Sequence, residues 1–486
     1  MLHHQEPIFA ESEPGRTGAS LPALDVPEVT LEGAWPIELR RLREPLLPEV
    51  SEPQVVRHYT RASQWNFSID TGMYPLGSCT MKHNPKCADA ASGFPCFNRL
   101  HPYQPEEDLQ GALELMYDLE RMLAEVGGFS RVTLQPSAGA QGELTGLMMI
   151  RAYHQDLGQR RTRVLIPDSA HGTNPASCTL NGFYTVQVPS GPDGLVHPDA
   201  VKAALSDDVA AIMITNPNTL GLFERHLAEI AEVVHRAGGL VYMDGANLNA
   251  LMGRFRPGDM GVDVMHYNLH KTFGTPHGGG GPGAGPVGIA EKLVPFLPTP
   301  TVERAGSRYV ADYARPKSIG RVRAFFGNFG TLLRAWVYLR ENGGEGLRRV
   351  TDMAVLNANY LRARLKESLH VPFPEACMHE VVATDKHLKA SGVTTLDLAK
   401  RLMDYGYHPP TVYFPLVVHG AFMVEPTETE TLAELDRFVA AVEAIVREAA
   451  EDPERVKNAP HTTGLRRLDE TLAARQPKLR WTPPAA

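Results

Sequence analysis

The residues best placed for chemistry are an acid and a lysine. Asp244 closes the apolar run Leu240–Met243, and Lys271 follows the next such run, Val262–Tyr267, 27 positions later. His270 immediately precedes the lysine. A lysine in a partly desolvated pocket has a lowered pKa and becomes nucleophilic toward a carbonyl carbon. A carboxylate keeps a pyridine nitrogen protonated, so that the ring accepts electrons. Pyridoxal phosphate needs both groups. Their position at consecutive strand ends favours that cofactor over the plainer alternative of a helix-capping acid and a solvated loop charge.

Other segments can complete such a site. His171 lies in Asp168-Ser169-Ala170-His171-Gly172-Thr173-Asn174-Pro175, after the run Val164–Ile166. Its imidazole can stack on a flat ring or serve as a turn histidine bonded to backbone; the sequence leaves both open. Ser137, Ala138 and Gly139 form a small-residue turn before a helix expected to start near Gln141, where N–H groups can face an anion such as phosphate. The run His277–Gly283 lacks the G-K-[ST] of a nucleotide loop and reads as a loop allowing close backbone approach. His266, His270 and His277 match no H-E-x-x-H pattern and have no interleaved carboxylate, so no metal site is expected.

The elements that must position these residues are strands and helices in alternation. Short apolar runs occur at Val132–Leu134, Val164–Ile166, Tyr184–Val188, Ala210–Ile214, Leu240–Met243, Val262–Tyr267 and Val287–Ala290. Several have no polar face, as in strands covered on both sides. The pattern predicts an α/β domain with a mostly parallel seven-stranded sheet. Four polar or glycine-rich turns, at 136–139, 168–174, 216–218 and 244–247, follow strand ends, where ligands of such sheets bind. Upstream, Leu115, Met116, Leu119, Met122, Leu123 and Val126 form a helical stripe stopped by Gly127-Gly128. Downstream, Leu347, Val350, Ala354 and Leu361 suggest a helix. Val381–Thr384, Thr411–Phe414 and Phe422–Val424 suggest strands of a smaller C-terminal α/β domain. Thr427-Glu428-Thr429-Glu430 resembles a capping box opening a last helix. The expected organisation is an N-terminal arm and irregular segment (1–110), a large domain (111–330), a small domain (331–450) and a polar tail (451–486).

Composition narrows the function class. The chain has 486 residues, 43% hydrophobic and 21% charged, with a formal net charge of -8. That balance disfavours a nucleic-acid partner. No apolar run approaches the roughly 18 residues of a membrane span. The five cysteines show no C-x-x-C spacing, which argues against a disulfide framework. The N-terminus has no signal pattern, so the cytoplasm is expected.

Motifs along almost the whole chain resemble a family. They include Tyr74-Pro75-Leu76-Gly77-Ser78-Cys79-Thr80-Met81-Lys82, Gln135-Pro136-Ser137-Ala138-Gly139-Ala140-Gln141-Gly142-Glu143, Ala170–Ser177, Asp244-Gly245-Ala246-Asn247, Asn268-Leu269-His270-Lys271-Thr272-Phe273 and Arg323–Gly330. The chain resembles subunit 2 of the two-subunit glycine dehydrogenases (decarboxylating), the P-proteins of the glycine cleavage system. The resemblance implies a fold-type-I pyridoxal-phosphate-dependent transferase (EC 1.4.4.2). Such an enzyme decarboxylates glycine and passes the aminomethyl group to the lipoyl arm of H-protein, releasing CO2. By motif, Lys271 is implied as the Schiff-base lysine, Asp244 as partner of the ring nitrogen and His171 as the residue on the ring. Ser137, Ala138 and Gly139 are implied in the phosphate cradle, with Ala246 and His270 completing the pyridoxal 5'-phosphate set. The implied partners are subunit 1, in an α2β2 heterotetramer, and lipoylated H-protein. His171, His270 and Lys271 are all candidates for the proton-transferring group.

Overall fold

Runs of β-branched and long apolar residues become strands when both faces can be buried. The computed structural model describes residues 6–43, 45–277 and 283–482. All seven expected runs are strands: β1 (Arg131–Thr133), β2 (Arg163–Pro167), β3 (Tyr184–Val188), β4 (Val209–Thr215), β5 (Leu240–Gly245), β6 (Val264–Tyr267) and β7 (Val287–Ile289). They form one sheet in the order β1-β7-β6-β5-β4-β2-β3. β2 through β6 pair in parallel, and β7 runs antiparallel between β6 and β1. Every residue of β4, β5 and β6 is buried. Alternate residues serve opposite faces. Leu165, Ile212, Ile214 and Met243 join one apolar cluster, while Val164, Ile166, Met213 and Tyr242 join another.

Helices cover both faces. α2 (Gln110–Gly127) buries Leu113, Met116, Leu119 and Leu123 and ends where Gly128 adopts φ 76°. α3 (Gly139–Asp156) starts two residues before its expected origin. It lies unusually close to the sheet: a Cβ on Gly146 would stand 2.5 Å from Tyr242 and 2.8 Å from Val264. A Cβ on Gly142 would stand 2.7 Å from the Gly285 carbonyl. α4 (Thr173–Leu180), α5 (Leu227–Arg236) and a single turn, α6 (Leu269–Thr272), complete this part. β8 (Thr301–Ala305) and β9 (Arg308–Asp312) form a hairpin.

α7 (Phe329–Leu365), kinked at Gly343, leads into the C-terminal lobe. There β10 (Val381–Thr384), α8 (Thr395–Asp404), β11 (Thr411–Val412), β12 (Ala421–Val424) and α9 (Leu432–Glu451) enclose a separate core. Its antiparallel sheet has the order β10-β12-β11. The expected capping box at Thr427–Glu430 does not open α9; Thr431 does, its side chain accepting from the Glu434 N–H. Glu428 instead meets the buried Lys82 ammonium at 2.9 Å, because an ammonium taken out of water needs a charge partner.

Residues Ile69–Asn458 make one compact unit, and the first 68 residues with those from Ala459 onward make another. In the second unit, α1 (Glu52–Ser63) is opened by a reciprocal Ser51–Gln54 capping box. Phe9 stacks on Trp481 at 5.2 Å. Leu21, Leu24, Val29 and Leu42 are exposed.

The close approach of α3 is testable. Gly146→Val should cost about 1–3 kcal/mol through overpacking, read by denaturant unfolding. Gly111→Ala in α2, with open space around it, should be neutral or stabilising in the same assay.

Candidate active site

Strand register sets the centre of the site. Thr215, Asp244 and His266 are paired neighbours across β4, β5 and β6. Asp244 is 2% exposed. Its Oδ1 lies 3.2 Å from His266 Nε2 and accepts from the Ala246 N–H at 2.9 Å. Oδ2 accepts from Asn174 Nδ2 at 3.1 Å. His266 Nδ1 lies 2.9 Å from the Tyr242 hydroxyl. Burial alone would raise the Asp244 pKa, but the His266 charge and these hydrogen bonds hold its carboxyl well below the usual range. Burial opposes the imidazolium too, yet Asp244 lifts His266 above its ordinary 6.5.

Lys271 sits on α6, and its Nζ donates to the Ser78 carbonyl at 2.9 Å. Ser78 has φ 56°. Its N–H donates to Glu380 Oε2 at 2.6 Å, and its hydroxyl donates to the same carboxylate. The His270 and His277 rings meet edge-on at 5.2 Å. Burial, with neighbouring positive groups, drives His270 down to about 3 and His277 to about 4, so both are neutral at physiological pH. The glycine run after His277 falls largely at 278–282, outside the described residues.

His171 is exposed, with Nδ1 2.9 Å from the Thr173 hydroxyl, which donates to Glu143 at 2.7 Å. Its ring meets Phe414 edge-on at 5.8 Å. At the start of α3, Ala138 occupies the N-cap with no side-chain cap, leaving first-turn N–H groups for an outside acceptor. The Ser137 N–H and hydroxyl both donate to Gln141 Oε1 at 2.7 Å, so they are already engaged.

These groups surround one cavity of about 240 Å³. Ala138, Gly139, His171, Asp244, Ala246, His270 and Lys271 all line it, and Ser137 does not. All four turns expected at the sheet edge contribute or flank it, the 216–218 turn through Thr215 and Thr219. The buried Thr215 Oγ and Asn268 Nδ2 have no hydrogen-bond partner among the described residues. Orphaned buried polar atoms beside a cavity are groups a polar ligand can satisfy. A carboxylate held ionised, a nearby amine and an uncapped helix N-terminus suit a ligand with a basic ring nitrogen, an aldehyde and a phosphate. The residues therefore fit pyridoxal 5'-phosphate.

Sequence reasoning did not find the supporting roles of His266, Asn174, Tyr242 or Ser78. His266 stood out only as a possible metal ligand. Its strand position, one register step from Asp244, was the available signal.

Comparison with known proteins fits this geometry. The family model "Glycine dehydrogenase, C-terminal domain" matches residues 350–463, and "Aminotransferase class-V" matches 147–280. The chain is 57% identical over 475 residues to a protein of Alkaliphilus oremlandii named "Probable glycine dehydrogenase (decarboxylating) subunit 2", covering 98% of each. The chain belongs to this family. A protein of the same name from Caldanaerobacter subterraneus is 56% identical, again over 98% of each chain. Among solved structures, an inhibitor-bound glycine decarboxylase (P-protein) of the glycine cleavage system has a TM-score of 0.71 at 22% identity, covering 86% of this chain and 95% of that one. An aspartate aminotransferase from Thermus thermophilus has a TM-score of 0.58 at 14% identity, covering 78% of this chain and 100% of that one. Both share the fold-type-I architecture of a large sheet domain and a smaller C-terminal lobe.

The Asp244–His266 pair makes its own prediction. Folding gains from His266 protonation below about 6.5, a gain lost as pH rises through its elevated folded value. The gain from ionised Asp244 is lost as pH falls through its depressed one. In Asp244→Asn the imidazole loses its main charge partner, leaving burial and Lys271 opposed only by the weaker pull of Glu143. Its titration, followed by NMR, should move from above 6.5 to below it.

Proposed function

We propose that this chain decarboxylates glycine with pyridoxal 5'-phosphate held on Lys271 and passes the aminomethyl group to the lipoyl arm of H-protein. It does so with a subunit 1, in an α2β2 assembly in the cytoplasm. The observation that carries the reading is the single cavity shared by Lys271, ionised Asp244, His171 and the uncapped start of α3. Family membership supports the same reaction. When bound, the cofactor supplies an aldehyde that captures amines and a protonated ring that accepts the electrons released with CO2.

The chain's own residues supply the rest. Lys271 would hold the cofactor through its amine. Asp244, fixed by His266, Asn174 and the Ala246 N–H, keeps the ring nitrogen protonated. His171 covers the ring. Ala138 and Gly139 offer N–H groups to the phosphate, with Ser137 closing the turn behind them through Gln141. His270, held neutral by burial, lines the wall; it, His171 and Lys271 are the candidates for moving a proton there. The functional division is a cofactor domain over 111–330 and a small domain over 331–450. The Pro-rich arm before residue 60 serves contacts with subunit 1, for which the exposed Leu21, Leu24, Val29 and Leu42 are suited.

Borohydride reduction of the loaded protein should fix the cofactor on the peptide carrying Lys271; label on another lysine sinks the assignment. Asp244→Asn should lower glycine turnover more than glycine affinity, because its contribution arises in the transition state. Glycine–bicarbonate exchange with lipoylated H-protein should be small for this chain alone and rise on adding subunit 1. A full rate from the isolated chain would remove the partner from the proposal.

A further inference from the structure

A second group of titratable side chains lies behind Lys271, on the C-terminal lobe. β10 and β12 pair with Val381 opposite Val424. Glu380 and Glu425, the residues flanking that pair, are thereby brought side by side, with His379 next to them. All three are at most 1% exposed. One ligand atom from each lies within 4.8 Å of the others.

The surroundings limit how much charge this group can carry. Glu380 accepts from the Ser78 N–H and hydroxyl, and Glu425 Oε1 accepts from the Thr80 hydroxyl at 2.5 Å. Glu425 Oε2 has no hydrogen-bond partner among the described residues, nor does either His379 ring nitrogen, although Nε2 lies 3.8 Å from Glu380 Oε1. Two cations face the pair, Lys271 and Lys82. Lys82 is committed to Glu428, Asn249 and Tyr338. His379, driven down to about 3 by burial and by Lys271, adds no charge. Cys79 on the 74–82 loop and Cys377 also face these carboxyls, and burial raises both thiols, so they are neutral. One uncommitted ammonium thus stands against two buried carboxyls, and like charges this close in a dry site do not both ionise. A divalent cation is disfavoured by the Lys271 ammonium and by the donors already on the carboxylate oxygens.

We infer that Glu380 and Glu425 share one proton and act together as a positioning pair for Lys271, with Ser78 as the link. Glu380 grips the Ser78 N–H and hydroxyl and so holds that residue at φ 56°, and the Ser78 carbonyl receives the lysine amine at 2.9 Å. The pair thereby fixes where the Lys271 amine is held, through the Ser78 carbonyl. Burial drives Glu380 well above the ordinary carboxyl range and Glu425 to about 7, in keeping with a retained proton. The value of the arrangement for catalysis rests on the role proposed above for Lys271; the shared proton does not.

Infrared spectroscopy of the full-length chain at neutral pH tests the proton directly. The wild-type-minus-variant spectrum should show one carboxylic-acid C=O band for both Glu380→Gln and Glu425→Gln, since either leaves a lone carboxylate that ionises against Lys271. No such band in either difference spectrum would overturn the inference. Should those variants fail to fold, Thr80→Val retains both carboxyls and removes the donor to ionised Glu425. The acid band should then persist about one pH unit higher, and an unmoved band would count against sharing. The link to Lys271 is read from the extent of its labelling at one fixed pH by a small amine-reactive probe, with peptide mass detection. Labelling should change several-fold in Glu380→Ala, which releases the Ser78 N–H and hydroxyl. Unchanged labelling in that variant removes the positioning role. These measurements need no cofactor or substrate, so their failure is separable from failure of the borohydride experiment.

Discussion

The buried pair of Asp244 and His266 is the constraint on which the rest of the site depends. A carboxylate and the imidazole whose protonation it favours, each almost wholly removed from water, are tolerable only at close range and with their remaining hydrogen-bonding capacity satisfied. The sheet meets the first requirement by register, since a slip of one residue between β5 and β6 would turn one side chain to the opposite face. Asn174, the Ala246 N–H and the Tyr242 hydroxyl meet the second. Tyr242 in turn packs under α3, whose Gly146 leaves room for its ring. The helix that offers free N–H groups at one end of the cavity and the acid at the other are thus fixed by the same packing.

Charge is distributed across the cavity in an ordered way. One wall carries a permanent carboxylate and another an amine. The imidazoles of His270 and His277, on which the amine's charge acts, are kept neutral by burial. A site of this kind stabilises charge that develops during reaction without having to reorganise, because its dipoles and charges are already set by the fold.

Much of this was legible in the sequence. The seven apolar runs all became strands, with small shifts at their ends. β6 starts at Val264 rather than Val262 because Asp263 turns to bind His235, Lys292 and the Val241 N–H. Asp244, Lys271 and His171 converge because loops at the same edge of a parallel sheet must do so. What could not be read was long-range. Ser78 and Glu380 are 302 positions apart, and nothing in local spacing connects them. The capping motif at Thr427–Glu430 misled for a related reason: Lys82, distant in sequence, claims Glu428, and the helix starts one residue after the motif. Ser137 looked like an anion ligand, but the helix brings Gln141 back over it.

The contact between Ser78 and Glu380 has a mechanical meaning. Ser78 lines the cavity, Glu380 belongs to the C-terminal lobe, and Lys271 sits on the helical turn that follows β6. Two successive hydrogen-bonded steps therefore tie the lobe to the lysine amine. A displacement of the lobe at this point would reach the Lys271 amine through the same two contacts, lengthening or releasing its bond to the Ser78 carbonyl. The placement of the lobe against the sheet is thereby coupled to the position of the Lys271 amine.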